Sequence, residues 1–295
     1  MASLSRYTEI NWTKHFYSGI TTIALNKRPI PTPDEQAFDT MKAAISRGAT
    51  IWSSSSVYGM PPQPPTAGLH LLRRYFDKYP EDADKVTLFI RAFSDAATLS
   101  PTCTRAGVRA SFDECRQILG DAKKIDIFGP ARMDRNVPVE ETLGALRELM
   151  DEGLIGGVGL SEVGANTIRK AHAVCPVSVV EVEFSLWSTD ILETGWQRLN
   201  FPKNLALVDI INDFAKQRGV TPAQLALAWI RAHSNSGPCG TIIPIPGATA
   251  ASRVEENCTA VPLAVEEKEQ LDAILKSFTV VGERQVVGMS SELWG

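Results

Sequence analysis

Residues 124–160 read KIDIFGPARMDRNVPVEETLGALRELMDEGLIGGVGL, and the fold class follows from this stretch. Lys124–Phe128 is a short apolar strand. Val139–Glu152 repeats its apolar residues at helical spacing behind Pro138, and Gly156–Leu160 is a strand again. A strand, a helix and a strand in so few residues mean two parallel strands joined by a helical crossover.

The same rhythm extends in both directions. Upstream, Ser18–Leu25, Ala49–Ser53 and Val86–Ala92 read as strands, with helices at Asp34–Arg47, Leu69–Tyr79 and Arg105–Leu119. Thr32-Pro33 before the first of these helices reads as a capping residue followed by proline at the first helical position. Downstream, the helix Ala165–Ala173 leads into a sixth strand, Val177–Phe184. From Leu186 to Asn204 neither period is present. Helices return at Leu205–Arg218 and, behind Thr221 as cap, at Pro222–Ala232; a last strand, Thr241–Pro246, precedes helices at Ala251–Cys258 and Glu266–Ser277. This alternation predicts an α/β chain, a single (β/α) TIM-like barrel domain over residues 1–295. It is an incomplete one, with about seven repeating strands where a closed barrel has eight. A doubly wound open sheet is the runner-up, weakened because no Gly-x-Gly-x-x-Gly follows the first strand.

Charge and composition exclude several classes. The 295 residues carry 30 Lys+Arg against 34 Asp+Glu, which leaves no basic footprint for nucleic acid. No apolar run is long enough to predict a membrane span, and Met1–Arg6 lacks the apolar stretch of a secretory signal. The cysteines, Cys103, Cys115, Cys175, Cys239 and Cys258, are scattered and form no Cys-x-x-Cys, so the expected setting is reducing and cytoplasmic. His15, His70, His172 and His233 fall on helices or outer segments, so neither a Ser-His-Asp site nor a catalytic metal is predicted.

Several phrases then resemble the aldo-keto reductase family, most closely its pyridoxal reductase branch. They are Ile51-Trp52-Ser53-Ser54-Ser55-Ser56-Val57-Tyr58-Gly59, residues 124–134, Val158-Gly159-Leu160-Ser161-Glu162, Val180-Glu181-Val182-Glu183-Phe184-Ser185 and Ile243-Pro244-Ile245-Pro246-Gly247-Ala248-Thr249. The resemblance implies a (β/α)8 barrel, NADPH and carbonyl reduction. It places Tyr58 as the general acid, with Ser161, Gly247, Thr249, Arg253 and Asn257 as cofactor-binding residues, the last four around the adenosine 2′-phosphate. It also shows departures. Ser53 stands where the family has an Asp, Arg91 where it has a Lys and Ala131 where it has a His. Between Ser185 and Leu205 about one βα unit is absent, together with the loop that wraps the pyrophosphate.

These departures set the functional expectation. A free phenol has a pKa of about 10, and a nearby cation lowers it. Arg91 supplies that charge but, always protonated, cannot relay a proton, and Ser53 cannot be its counter-ion. An unpaired Arg91 therefore predicts a Tyr58 that stays partly ionised and suits base or oxyanion work. Glu181 and Glu183, two apart on one strand, project to one side and are costly there unless paired. An ion pair of Arg91 with Glu181 or Asp134 is accordingly weighed beside the catalytic role. Ser53–Ser56 reads as solvated turn serines.

The expectation that results is a family member repurposed for a non-redox acid–base reaction on a small carbonyl-type molecule: dehydration, isomerisation or cyclisation, that is, a lyase or isomerase. Tyr58, Arg91, Ser53 and Glu181 are its catalytic residues, and no cofactor is required. The alternatives are an NADPH-dependent carbonyl (pyridoxal-like) reductase with a modified relay and a non-catalytic pseudoenzyme that binds a ligand or partner. The expected partner is a small-molecule substrate, with a homo-oligomer or the Leu186–Asn204 segment covering the open barrel edge.

Overall fold

A computed structural model describes residues 19–26, 29–95, 98, 100–186, 201–237 and 239–278. Its sheet has six strands: β1 (Gly19–Thr21), β2 (Ile51–Ser55), β3 (Thr87–Ala92), β4 (Ile127–Pro130), β5 (Gly157–Ser161) and β6 (Val177–Glu181). They lie side by side in chain order, and every neighbouring pair is parallel. A doubly wound sheet reverses its order at a switch point; here there is no reversal, and the arrangement is that of an incomplete (β/α) barrel. The crossovers are helical: α1 (Ile23–Asn26) and α2 (Asp34–Ser46), α3 (Ala67–Lys78), α4 (Arg105–Leu119), α5 (Val139–Asp151) and α6 (Ala165–Val174).

The local reasons are legible in the packing. Trp52 on β2 is fully buried; its indole donates to the Ala49 carbonyl at 2.9 Å, and its ring lies against Tyr75 and Phe76 of α3. Leu69, Leu71, Leu72, Tyr75 and Phe76 form the apolar face that α3 turns inward. The Thr104 hydroxyl caps α4 by accepting from the Gly107 amide. On β4 a Cβ at Gly129 would lie 1.8 Å from the Gly159 carbonyl oxygen, so only glycine lets β4 and β5 approach there.

Among the described residues, 19–182 with Ile245–Val254 form one compact unit, and Glu183–Pro244 with residues 255–278 form the other. The first holds the whole sheet. The second contains α7 (Phe201–Arg218), α8 (Pro222–Ala232) and α10 (Val265–Ser277), packed through Leu207, Ile211, Ala215, Leu225, Trp229 and Leu271. Thr221 caps α8 in a reciprocal box with Gln224, and Pro222 occupies its first turn, as the sequence predicts. The remaining helix is α9 (Ala251–Cys258).

Four expectations are corrected. Thr241–Pro246 is not a strand; the chain meets the sheet only at Gly247, which bridges to Thr21 in parallel, so the described residues hold six strands rather than seven. Pro244 and Pro246 have no amide hydrogen to give to a ladder. Strand β2 runs on through Ser55, and Ser53, Ser54 and Ser55 are buried rather than solvated, because each finds an internal partner or neighbour in the sheet. Strand β6 ends at Glu181, and Glu183 lies beyond it and exposed. Thr32 does not cap α2; Pro33 occupies the cap position and the Thr32 hydroxyl has no hydrogen-bond partner. The proposed filling of the barrel edge by Leu186–Asn204 falls on residues 187–200, outside those described. Among the described residues no helix is long and apolar enough to cross a membrane.

Candidate active site

The carboxyl ends of four strands converge on one guanidinium. Arg91, near the end of β3, is almost fully buried. Its Nη2 donates to the hydroxyl of Tyr58, in the loop after β2, and pairs with Glu181 Oε1 from the end of β6 at 2.8 Å. Ser53 Oγ on β2 lies 3.4 Å from the same nitrogen, and Nη1 reaches Ser161 Oγ, the last residue of β5, at 3.3 Å. Ser53 donates in turn to Glu181 Oε2 at 2.6 Å. Thr21, ending β1, hydrogen-bonds the Tyr58 hydroxyl. Arg132, in the loop after β4, donates to its neighbour's carbonyl at Ala131 and reaches Ser161 Oγ at 3.4 Å. All of these residues belong to the first unit.

Strand alternation explains the convergence. Register pairs Thr21 with Ser53, Ser55 with Arg91 and Ser161 with Glu181, so equivalent positions of successive strands reach one end of the sheet together. All four residues expected to be catalytic, Tyr58, Arg91, Ser53 and Glu181, share this one network.

The electrostatics differ from the sequence expectation. Arg91 is not unpaired. Burial works against its charge, but Glu181 and then Tyr58 more than offset that, and its pKa lies above the ordinary arginine value. Burial pushes the Tyr58 phenol up; Arg91 opposes this, Glu181 adds to it, and hydrogen bonds from Thr21 and Arg91 take back only part. Tyr58 is therefore held in its protonated form at neutral pH, not partly ionised. The counter-ion that Ser53 cannot supply arrives from β6, and Ser53 serves it as a hydrogen-bond donor.

The residues expected to bind cofactor divide by place. Ser161 sits in the network just described. Gly247 lies opposite Thr21, so the loop carrying Gly247 and Thr249 meets the site at the end of β1. The Thr249 carbonyl accepts from Gln36 of α2. Arg253 is exposed on the first turn of α9. Asn257, one turn further along that helix, is buried in the second unit, where its carbonyl accepts from Arg231 at 3.0 Å. First-turn amides have no acceptor within their own helix, and with a guanidinium beside them they suit a phosphate. A Cβ at Gly247 would lie 3.0 Å from the Ala24 Cβ, so the loop packs closely on α1 there. This donor set fits the phosphate end of a nicotinamide dinucleotide. Thr21 is the site residue that sequence reading missed. With the first strand expected over Ser18–Leu25, Thr21 fell mid-strand; only the structure, ending β1 at Thr21, puts it at a carboxyl end.

Residues 19–200 and 188–276 match a family model described as the aldo/keto reductase family. The two matched pieces meet at residues 188–200, where the sequence predicts an absent βα unit. The chain is 32% identical over 325 residues to a probable pyridoxal reductase of Schizosaccharomyces pombe, covering 93% of this chain and 96% of that protein. Since 93% of 295 is about 274, about 51 aligned positions of that relative have no counterpart here. A probable aldo-keto reductase of Glycine max is 27% identical over 309 residues, covering 90% of this chain and 86% of that protein. A solved glycerol dehydrogenase of Gluconobacter oxydans superposes with a TM-score of 0.73 at 16% identity, over 92% of this chain and 95% of that one, and shares the fold.

These relatives correct two expectations. The non-redox reading gives way, because relatives matched along nine-tenths of the chain are named as reductases. The expectation that no cofactor is required gives way with it, because the family and its oxidoreductase relatives point to NADP(H). The non-catalytic reading has no support among them. Physically, the non-redox argument rested on a lost counter-ion, and Glu181 supplies one.

Proposed function

The chain belongs to the aldo/keto reductase family, and from that premise we propose that it is an NADPH-dependent reductase of a small carbonyl compound, of the pyridoxal-like aldehyde class. One observation carries this reading. The Tyr58 oxygen accepts from Arg91, so the fixed cation is bonded to the oxygen and the hydroxyl hydrogen is the group to be donated to a substrate oxygen. A protonated phenol whose oxygen is already bonded to a fixed cation is a proton donor with its conjugate base stabilised in advance.

NADPH, when bound, supplies the hydride that reduces the carbonyl carbon, leaving NADP+. Tyr58 gives its proton to the carbonyl oxygen, and the alcohol results. Arg91 holds the phenolate that remains until solvent reprotonates it. Ser161, fixed by two guanidinium groups, would position the nicotinamide end, and Gly247, Thr249 and Arg253 with the first turn of α9 would hold the phosphate end. The reading also places the enzyme in the cytoplasm, in keeping with its free cysteines.

The test is purified protein with NADPH and a panel of aldehydes including pyridoxal, followed by loss of nicotinamide fluorescence. Turnover is expected, with Tyr58→Phe slower by at least about a hundredfold while NADPH still binds, the contribution typical of a general acid. Failure to oxidise NADPH with every aldehyde of the panel overturns the proposal.

A further inference from the structure

A buried guanidinium beside a phenol favours the phenolate, whereas proton donation needs the phenol. The first unit answers this with a second charge, a carboxylate set against the same guanidinium nitrogen that meets the phenol. The charged groups around the Tyr58–Arg91 pair are Glu181 at the end of β6, Glu162 one residue past β5 and Arg132 two residues past β4. Glu181 is in ion-pair contact with Arg91 at 2.8 Å, and its other oxygen is fixed by Ser53 at 2.6 Å. Its side chain is 18% exposed against 8% for Arg91, so the pair is screened little by water.

We infer that Glu181 is a positioning residue of the reduction: clamped by Ser53, it balances the charge of the Arg91 guanidinium that lies against the Tyr58 hydroxyl, and so sets the pH up to which Tyr58 can donate a proton. This rests on the reductase reading above. Glu181 acts through Arg91 and does not need to touch substrate. The sign follows from the charges. The carboxylate repels a developing phenolate, so it keeps the phenol protonated to higher pH; without it Arg91 acts on Tyr58 unopposed and the phenol ionises earlier.

The measurement compares wild type with Glu181→Gln, which keeps the size and one hydrogen bond to Ser53 but removes the charge. Two readouts are taken. The first is the pH profile of kcat/KM for NADPH-dependent aldehyde reduction, whose alkaline limb is expected to move down by about one pH unit, about tenfold in rate on that limb. The second needs no turnover. The ultraviolet titration of Tyr58, isolated by difference from Tyr58→Phe, is expected to move in the same direction. If wild type oxidises no NADPH, the reductase reading has failed, and this titration still decides the role of Glu181. An unmoved Tyr58 titration in folded Glu181→Gln overturns the inference. Ser53→Asp/Glu181→Gln provides the second variant. Ser53 Oγ already lies within 3.4 Å of Arg91 Nη2, so a carboxylate there meets the same guanidinium and is expected to return the titration toward wild type. A folded double variant that titrates like Glu181→Gln also overturns the inference.

Discussion

Replacing Arg91 by methionine tests the ion pair at the centre of the site by stability alone. The guanidinium side chain is 8% exposed and meets Tyr58, Glu181, Ser161 and Ser53. Arg91→Met leaves the Glu181 carboxylate in a largely buried position with Ser53 as donor and no countercharge. Removing one partner of a buried pair costs about 3–5 kcal/mol. Because Glu181 keeps 18% exposure, the lower end applies, about 3 kcal/mol. Glu181→Gln strands the guanidinium instead and is expected to cost about as much. The double variant Arg91→Met/Glu181→Gln leaves no buried charge, and its cost is expected to be about 3 kcal/mol rather than the sum of about 6, a coupling of about 3 kcal/mol. Urea denaturation at neutral pH, followed by far-ultraviolet circular dichroism, gives the four free energies from midpoints and slopes. If the two single costs add to within about 0.5 kcal/mol, the pair is not a coupled unit and the account of the site fails.

Two further outcomes follow from other parts of the first unit. The Asp82 carboxylate is buried but meets Lys42 at 2.6 Å, Lys85 at 2.8 Å and the Tyr75 hydroxyl at 2.7 Å; burial alone would raise its pKa, and these three partners bring it down to about 2. A folded value below the unfolded one means stability present above about pH 4 and lost as pH falls toward 2. Asp82→Asn is therefore expected to be less stable by about 2 kcal/mol at pH 7, a gap that closes in acid denaturation between pH 4 and 2. Gly129→Ala and Gly144→Ala should diverge: the first drives a methyl into the Gly159 carbonyl at 1.8 Å and is expected to prevent soluble folding, whereas the second meets nothing within 4 Å on α5 and is expected to stabilise by about 0.5–1 kcal/mol in urea melts.

The order of strands and helices was legible because hydrophobic period is a local property, and β2 to β6 sit where periodicity places them to within a few residues, whereas the first expected strand, Ser18–Leu25, ends at Thr21 and turns helical from Ile23. Tyr58 and Arg91 were also legible, through the family resemblance of the segment after the second strand and of the end of the third. What the text concealed depends on partners far along the chain. Four serines in a row look like a turn, and the burial of Ser53 makes sense only once Glu181, 128 residues away, accepts its hydroxyl. Thr241–Pro246 looks like a strand because it is apolar, but its prolines cannot donate to a ladder. The ionisation of Tyr58 was misread for the same reason. Composition supplies the cation beside it, while only the folded sheet brings the carboxylate that offsets that cation.

The strict succession of β1 to β6 has a bearing on how this chain came to be shorter than its relatives. Each strand is bonded only to those adjacent in the text, so excising a module after β6 severs no ladder among the six that remain. Tyr58, Arg91, Ser161 and Glu181 all lie at or before the end of β6. In this architecture a gene can lose a whole repeat and still inherit, intact, the side chains that do the chemistry.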